Sequence, residues 1–148
     1  MLFSAMAGTY RFIEDGAQAD ISFAAEADSL PSLLETCGEA MFAAMTDTRL
    51  VKPVDRHTVT VQADALEDLL FDWLSELIFL KDTEEFVASR FRVRCPDKPS
   101  FHLQALVEGE PIDRRRHQMS VDVKAATYHE MDIHQENGRW FAKVVLDV

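Results

Sequence analysis

A chain of 148 residues, 47% apolar and 28% charged, is long enough to bury one core without disulfide or metal staples, and reads as a single domain spanning residues 1–148. Its two cysteines, Cys37 and Cys95, form neither a CxxC pair nor a disulfide framework, and the opening MLFSAMAGT has no basic region or apolar run suited to a signal peptide or membrane span. A reducing, cytoplasmic setting without membrane contact is therefore expected, and a net charge of −11 argues against autonomous binding of nucleic acid.

Thr9 to Asp15 reads as a first strand and Asp20 to Glu26 as a second, with Gly16 in the turn between them. Asp28-Ser29-Leu30-Pro31 starts a helix, with Ser29 as the cap and proline where amide hydrogens lack partners. Leu30, Leu33, Leu34, Cys37, Met41, Phe42 and Met45 then recur at three and four, one apolar stripe that Thr46-Asp47-Thr48 ends. Thr58 to Val61 alternates as a strand. Asp64 to Glu67 resembles a capping box, followed by a second amphipathic helix carrying Leu66, Leu69, Leu70, Trp73, Leu74, Leu77 and Ile78. Phe86 to Cys95 and Phe101 to Glu108 read as strands either side of the turn residues 96–100, and Gly109, Pro111 and the run Arg114-Arg115-Arg116 as a loop.

The last segment is organised by Asn137-Gly138, since a two-residue type I′ turn needs positive φ at both positions. Counting outward sets Glu136 against Arg139, Asp132 against Lys143, His129 against Leu146 and Tyr128 against Asp147. One face then carries Met131, Ile133, Trp140, Ala142, Val144 and Leu146, a core face; the other is mostly polar and includes Asp147. Two helices among hairpin-spaced strands give an α+β class, a mostly antiparallel sheet with two amphipathic helices packed on it.

Charge is unevenly spread. Residues 1–48 hold eight acids against one base, Arg11, while Arg90, Arg92 and Arg94 alternate along one strand face. An acidic body with basic patches suits docking to a protein better than coating RNA, so any RNA contact is expected to be indirect or weak. For the arginine strand, a solvated sheet face is the plainer reading and a partner or RNA contact the other.

No nucleophile elbow, P-loop, dinucleotide fingerprint or HExxH occurs, and the five histidines form no HxH or HxxxH pair. Cys37 falls on a core stripe, where a free cysteine is ordinarily packing. At the end of the chain, Asp147 stands beside the main-chain carboxylate of Val148. Two adjacent anions call for full hydration or for a hard cation such as Ca²⁺ or Mg²⁺, and a cation site needs a third carboxylate from elsewhere.

The segments ADISF (19–23), CGEAMFAAMTDT (37–48), LLFDWLSELIF (69–79), GEPIDRRRH (109–117), VKAATYHEM (123–131) and the terminal LDV, in collinear order, resemble the archease family. Members are small protein cofactors of the RtcB-type tRNA-splicing RNA ligase. The resemblance implies an archease-like α+β fold and a non-catalytic role: promoting guanylylation of the ligase, so that it turns over repeatedly. It implies a divalent cation (Ca²⁺, or Mg²⁺/Mn²⁺) held by the last Asp of a D-H-T-A-D motif, by the penultimate Asp and by the terminal residue, which match Asp20, Asp147 and Val148. Residues 14–20 read EDGAQAD, so the motif histidine is absent, and Glu14 and Asp15 are the alternatives for its first acid. Such a protein acts as a monomer or small homo-oligomer. Two competing functions are a small metal-dependent phosphohydrolase, with Lys124, Tyr128 and His129 as neighbouring groups, and a chaperone-like adaptor for RNA-processing enzymes.

Overall fold

The structure is a computed structural model and describes residues 8–14 and 20–148. Its strands divide between two antiparallel sheets rather than forming one. The first is built from β1 (Gly8–Ile13), β2 (Asp20–Ala27), β6 (Ala125–Ala126), β7 (Asp132–Glu136) and β8 (Arg139–Asp147). Its order is β1-β2-β8, with β6 and β7 pairing in succession along the other edge of β8. The second runs β3 (Asp55–Ala63), β5 (Phe101–Pro111), β4 (Phe86–Arg94).

The helices, α1 (Leu30–Met45) and α2 (Leu66–Glu84), lie between the sheets. Positions two apart on a helix point in nearly opposite directions. On α1, Thr36 meets β1 at Gly8, whereas Gly38 and Phe42 meet Phe91 of β4. On α2, Phe71 stacks on Tyr128 near the first sheet, whereas Trp73 meets Phe91 of the second. Each helix is therefore packed on both sides, which explains why α1 buries Thr36, Cys37 and Gly38 in succession. Trp73 donates its indole N–H to the Leu34 carbonyl across the helix pair, 2.8 Å, so the polar edge of the largest core side chain is satisfied.

The sequence-based elements fall where expected, with three differences. Ser29 caps α1, its hydroxyl accepting the Ser32 amide at 3.2 Å, and every residue of the expected stripe is buried. The α2 capping box does not form. Leu66 is the first helical residue and Ala65 the cap, which leaves Asp64 one position too early, and Glu67 and Asp68 instead face the helix dipole from the first turn. Gly109 and Pro111 are not loop: β5 continues to Pro111 because β4 still offers Ala88, Val87 and Phe86 as partners. The β3 partners end at Gly109, so the missing amide of Pro111 costs no bond on that side. The first turn, around Gly16, lies outside the described residues, as does Asp15.

The third difference is in the terminal hairpin. Asn137 (φ 51°) and Gly138 (φ 80°) make the expected turn, with Glu136 opposite Arg139 and Asp132 opposite Lys143. Beyond Asp132 the count fails: Ala126 lies opposite Leu146 and Ala125 opposite Asp147, so residues 127–131 loop out against Val144 and Val145. Thr127 pins one end through its amide and hydroxyl, both donating to the Val145 carbonyl. A turn from Tyr128 O to Met131 N, with Glu130 at φ 52°, closes the other.

Candidate metal centre at the sheet tip

β2 and β8 are neighbours, and their register sets Asp20 directly against Asp147. Facing residues on adjacent strands hold their Cβ atoms about 4.5–5.5 Å apart and point to the same side. Alternation places Ile21, Phe23, Ala25 and Ala27 on the helix-facing side with Leu146, Val144, Ala142 and Trp140. Asp20 and Asp147 therefore stand together on the outer face, Asp147 exposed and Asp20 half-buried. The next side chain, Val148, turns inward and packs against the core. Lys124 donates its amide to the Asp147 carbonyl at 2.8 Å, and Ala125 pairs with Asp147 from the side away from Asp20. The Asp147 backbone is thus held from both sides.

Three of the sequence-derived site residues, Asp20, Asp147 and Val148, come together. Glu14 is exposed just past the end of β1. Tyr128 is not opposite Asp147, because the bulge carries it onto α2. There its ring stacks on Phe71, centroids 4.1 Å apart, and its hydroxyl donates to Asp68 at 2.7 Å. That hydrogen bond, with burial and the charges of Asp68 and Asp72, pushes the Tyr128 phenol up to about 12. His129 turns to Glu130 instead. The hydrolase reading therefore loses Tyr128 and His129 as bases beside the carboxylates. The thiols offer no nucleophile either: burial raises Cys37, and burial with the Asp97 charge raises Cys95 to about 11.

The donor set fits a hard cation. Among the described residues no lysine, arginine or histidine lies within ion-pair distance of Asp20 or Asp147; Lys143, four residues back along β8, is engaged with Glu130. Two carboxylates forced together by register without a protein counter-ion suit an ion taking oxygen ligands at about 2.3–2.6 Å. Among the described residues no group of three His, Cys, Asp or Glu side chains gathers here or elsewhere. Any further donors for such an ion would have to be main-chain oxygens, such as those of Val148, or solvent.

One cluster was missed from sequence. His117, fully buried, accepts the Asp113 amide at Nδ1 (2.9 Å), so its proton sits on Nε2, 2.9 Å from Glu110 Oε2. Arg116 forks onto both oxygens of Glu110 at 2.6 and 2.7 Å, and the Lys52 amide adds a third donor. Arg116 above all, then the Lys52 amide and His117, outweigh burial and hold the Glu110 carboxyl down at about 2. The signal was present in the spacing of GEPIDRRRH, whose glutamate, aspartate, final arginine and histidine all join this brace.

Fold and tip together define a small α+β protein, two antiparallel sheets around a helix pair, with two aspartates set face to face where the second and last strands meet. The chain belongs to the archease protein family (MTH1598/TM1083), whose model matches residues 10–148. It is 38% identical to the protein archease of Methanothermobacter thermautotrophicus, over 88% of this chain and 93% of that one. With the Methanopyrus kandleri archease it shares 34% over 88% and 94%. The solution structure of Methanobacterium thermoautotrophicum protein 1598 superposes with a TM-score of 0.81 at 36% identity, covering 94% of this chain and 98% of that chain. The crystal structure of the Thermotoga maritima archease, described as a possible chaperone, shares the fold with a TM-score of 0.62 at 17% identity, over 92% and 96%. No helix among the described residues is long and apolar enough to cross a membrane.

Proposed function

We propose that this protein is a non-catalytic accessory factor of an RtcB-type RNA ligase. It promotes guanylylation of the ligase by presenting a divalent cation, held by Asp20, Asp147 and the main-chain carboxyl group of Val148. The observation that carries this reading is the Asp20–Asp147 pair: two facing carboxylates with no protein counter-ion among the described residues, on the outer side of the sheet in an archease-family chain. A cation bound there would bridge carboxylate and phosphate oxygens, the chemistry needed to orient a nucleotide in a partner's active site. The protein's own residues fix the donors. The β2–β8 register aligns the carboxylates, and the Lys124 amide and Ala125 hold the end of β8 in place.

The test is guanylylation of a purified ligase with labelled GTP, with and without this protein. Asp147→Ala is expected to abolish the stimulation while keeping a cooperative unfolding transition, since the side chain is exposed and contributes little to the core. A folded variant that stimulates normally sinks the proposal. A chaperone-like adaptor would instead keep its effect after chelation and in Asp20→Ala.

A further inference from the structure

We propose that the outer face of the second sheet is a phosphate-binding surface for RNA. The strand register lines up three cross-strand rows on this face: Arg56–Glu108–Arg90, Thr58–Leu106–Arg92 and Thr60–Gln104–Arg94. Four arginines therefore line rows that hold a single carboxylate, Glu108, in a chain whose net charge is −11; a second carboxylate, Glu35 of α1, reaches the β4 edge and accepts the Val93 amide at 2.9 Å. Glu108 is buried, and its contacts are loose: Arg56 at 3.6 Å and Arg92 at 3.7 Å, with Oε1 lacking any hydrogen-bond partner. Arg56 and Arg92 remain 72% and 67% exposed, so their guanidinium groups stay open to an incoming anion. Arg90 and Arg94 are exposed and have no ion-pair partner among the described residues.

Charge complementarity selects a polyanion, and the rest of the face selects a nucleic acid over an acidic protein. Stable protein contacts are built on a desolvated apolar or aromatic centre. Here the outward neighbours are Thr58, Thr60, Gln104, the half-buried Leu106 and, one row further, Gln62 and His102, whose imidazole is the one aromatic ring among them. Phosphate contacts need only donors and charge, and forked guanidinium groups match phosphate oxygens. Arginines two apart on a strand stand about 6.8 Å from one another, of the order of the step between successive phosphates of a single strand. The face also points away from the helix layer on the side opposite the Asp20–Asp147 tip, because the helices lie between the two sheets. A partner confined to the tip leaves it uncovered. With a single imidazole, His102, in place of a row of stacking rings, binding would be largely indifferent to base sequence. The acidic body keeps it weak and confined to low salt. That the bound strand is RNA rests on the ligase-accessory reading; that the face takes a phosphodiester chain does not.

Fluorescence anisotropy of a fluorescein-labelled uridine oligonucleotide, titrated with the full chain at several KCl concentrations, tests this. Three net charges at about 0.7 released counterions per phosphate give a log–log salt slope of about −2. Arg90→Gln/Arg94→Gln is expected to weaken low-salt binding roughly tenfold or more and to flatten that slope by about 1. Thr60→Glu, which sets a negative charge among the same rows from the other edge strand, is expected to weaken it too. Guanylylation of the ligase without RNA stays at the wild-type level in all of these variants. Absence of binding at low salt, or binding unchanged in the variants, overturns the proposal. Displacement by polyglutamate as readily as by unlabelled RNA assigns the face to an acidic protein, and loss of RNA-free stimulation assigns it to the ligase; either overturns it as well. If the wild-type protein fails to stimulate any ligase, the oligonucleotide titration still reads the face on its own.

Discussion

Gly109 has almost no freedom to change. A Cβ there would stand 2.7 Å from the Cα of Ala88 and 2.8 Å from the Val87 carbonyl carbon. Both are backbone atoms of β4, next to the register shift between Ala88 and Arg90, so neither can rotate away. Gly109→Ala should cost about 2–3 kcal/mol, read as a lowered midpoint in urea at unchanged slope; a loss below about 0.5 kcal/mol would mean that the strands part freely. Its neighbour Glu110 makes a pH prediction. The folded carboxyl sits near 2 against an ordinary 4.5, so folding favours the ionised form. The stability it contributes is complete above about pH 4.5 and is lost as the pH falls toward about 2. Glu110→Gln should therefore be less stable than wild type at neutral pH, with the difference shrinking through that window in thermal melts. A difference independent of pH would show that ionisation of Glu110 is not what the brace stabilises. The brace was poorly legible in sequence. Its residues read as a polar loop, and only the fold, by burying His117, gives their spacing a meaning.

At the scale of elements, periodicity was legible and irregularity was not. The stripe of α1 could be read because its apolar residues recur at three and four and each meets the core. The Asn137-Gly138 turn could be read because few residue pairs tolerate two positive φ angles. The bulge at 127–131 could not: the alternation lapses at His129-Glu130, two polar residues in a row, but nothing in the spacing says where the pairing resumes. What breaks the count is a long-range contact, Tyr128 with Phe71 and Asp68 of α2, which no spacing announces. The cap at Asp64 failed for a similar reason: α2 begins where Leu66 meets the core. The cap that did form can be tested. Ser29→Ala removes the acceptor for the Ser32 amide and is expected to cost about 1 kcal/mol in chemical denaturation. Asp64→Ala, outside the cap, should cost no more than a few tenths. Equal losses would mean that the Ser29 hydroxyl is not what caps α1.

For the whole molecule, the consequence of the fold is that the two aspartates meet across nearly the full length of the chain. β2 and β8 are adjacent because the first sheet closes over one side of the helix pair with the last strand inserted between β2 and the β6–β7 edge. Residue periodicity could place Asp147 on a polar face, while its partnership with Asp20 came only from the family resemblance, because hairpin counting does not reach the β2–β8 register. The same adjacency makes the proposed cation a stabiliser. An ion bound by both aspartates exists only while β2 and β8 are paired, so it favours the folded state by RT ln(1 + [L]/Kd), about 2.7 kcal/mol at a hundredfold excess over Kd. Adding Ca²⁺ to metal-stripped protein should raise the melting temperature progressively, and Mg²⁺ or Mn²⁺ should do so if the tip accepts them. Asp20→Asn and Asp147→Asn should each remove the repulsion between the carboxylates and most of the metal response at once. The variants would then melt at or above the metal-free wild type, yet rise little with Ca²⁺. A short C-terminal extension should blunt the response while leaving the metal-free melting temperature in place, if the Val148 carboxyl group is a ligand. Should none of the three cations move the wild-type transition, the tip holds no ion, and the ligase effect, if found, has to be explained by surface contacts alone.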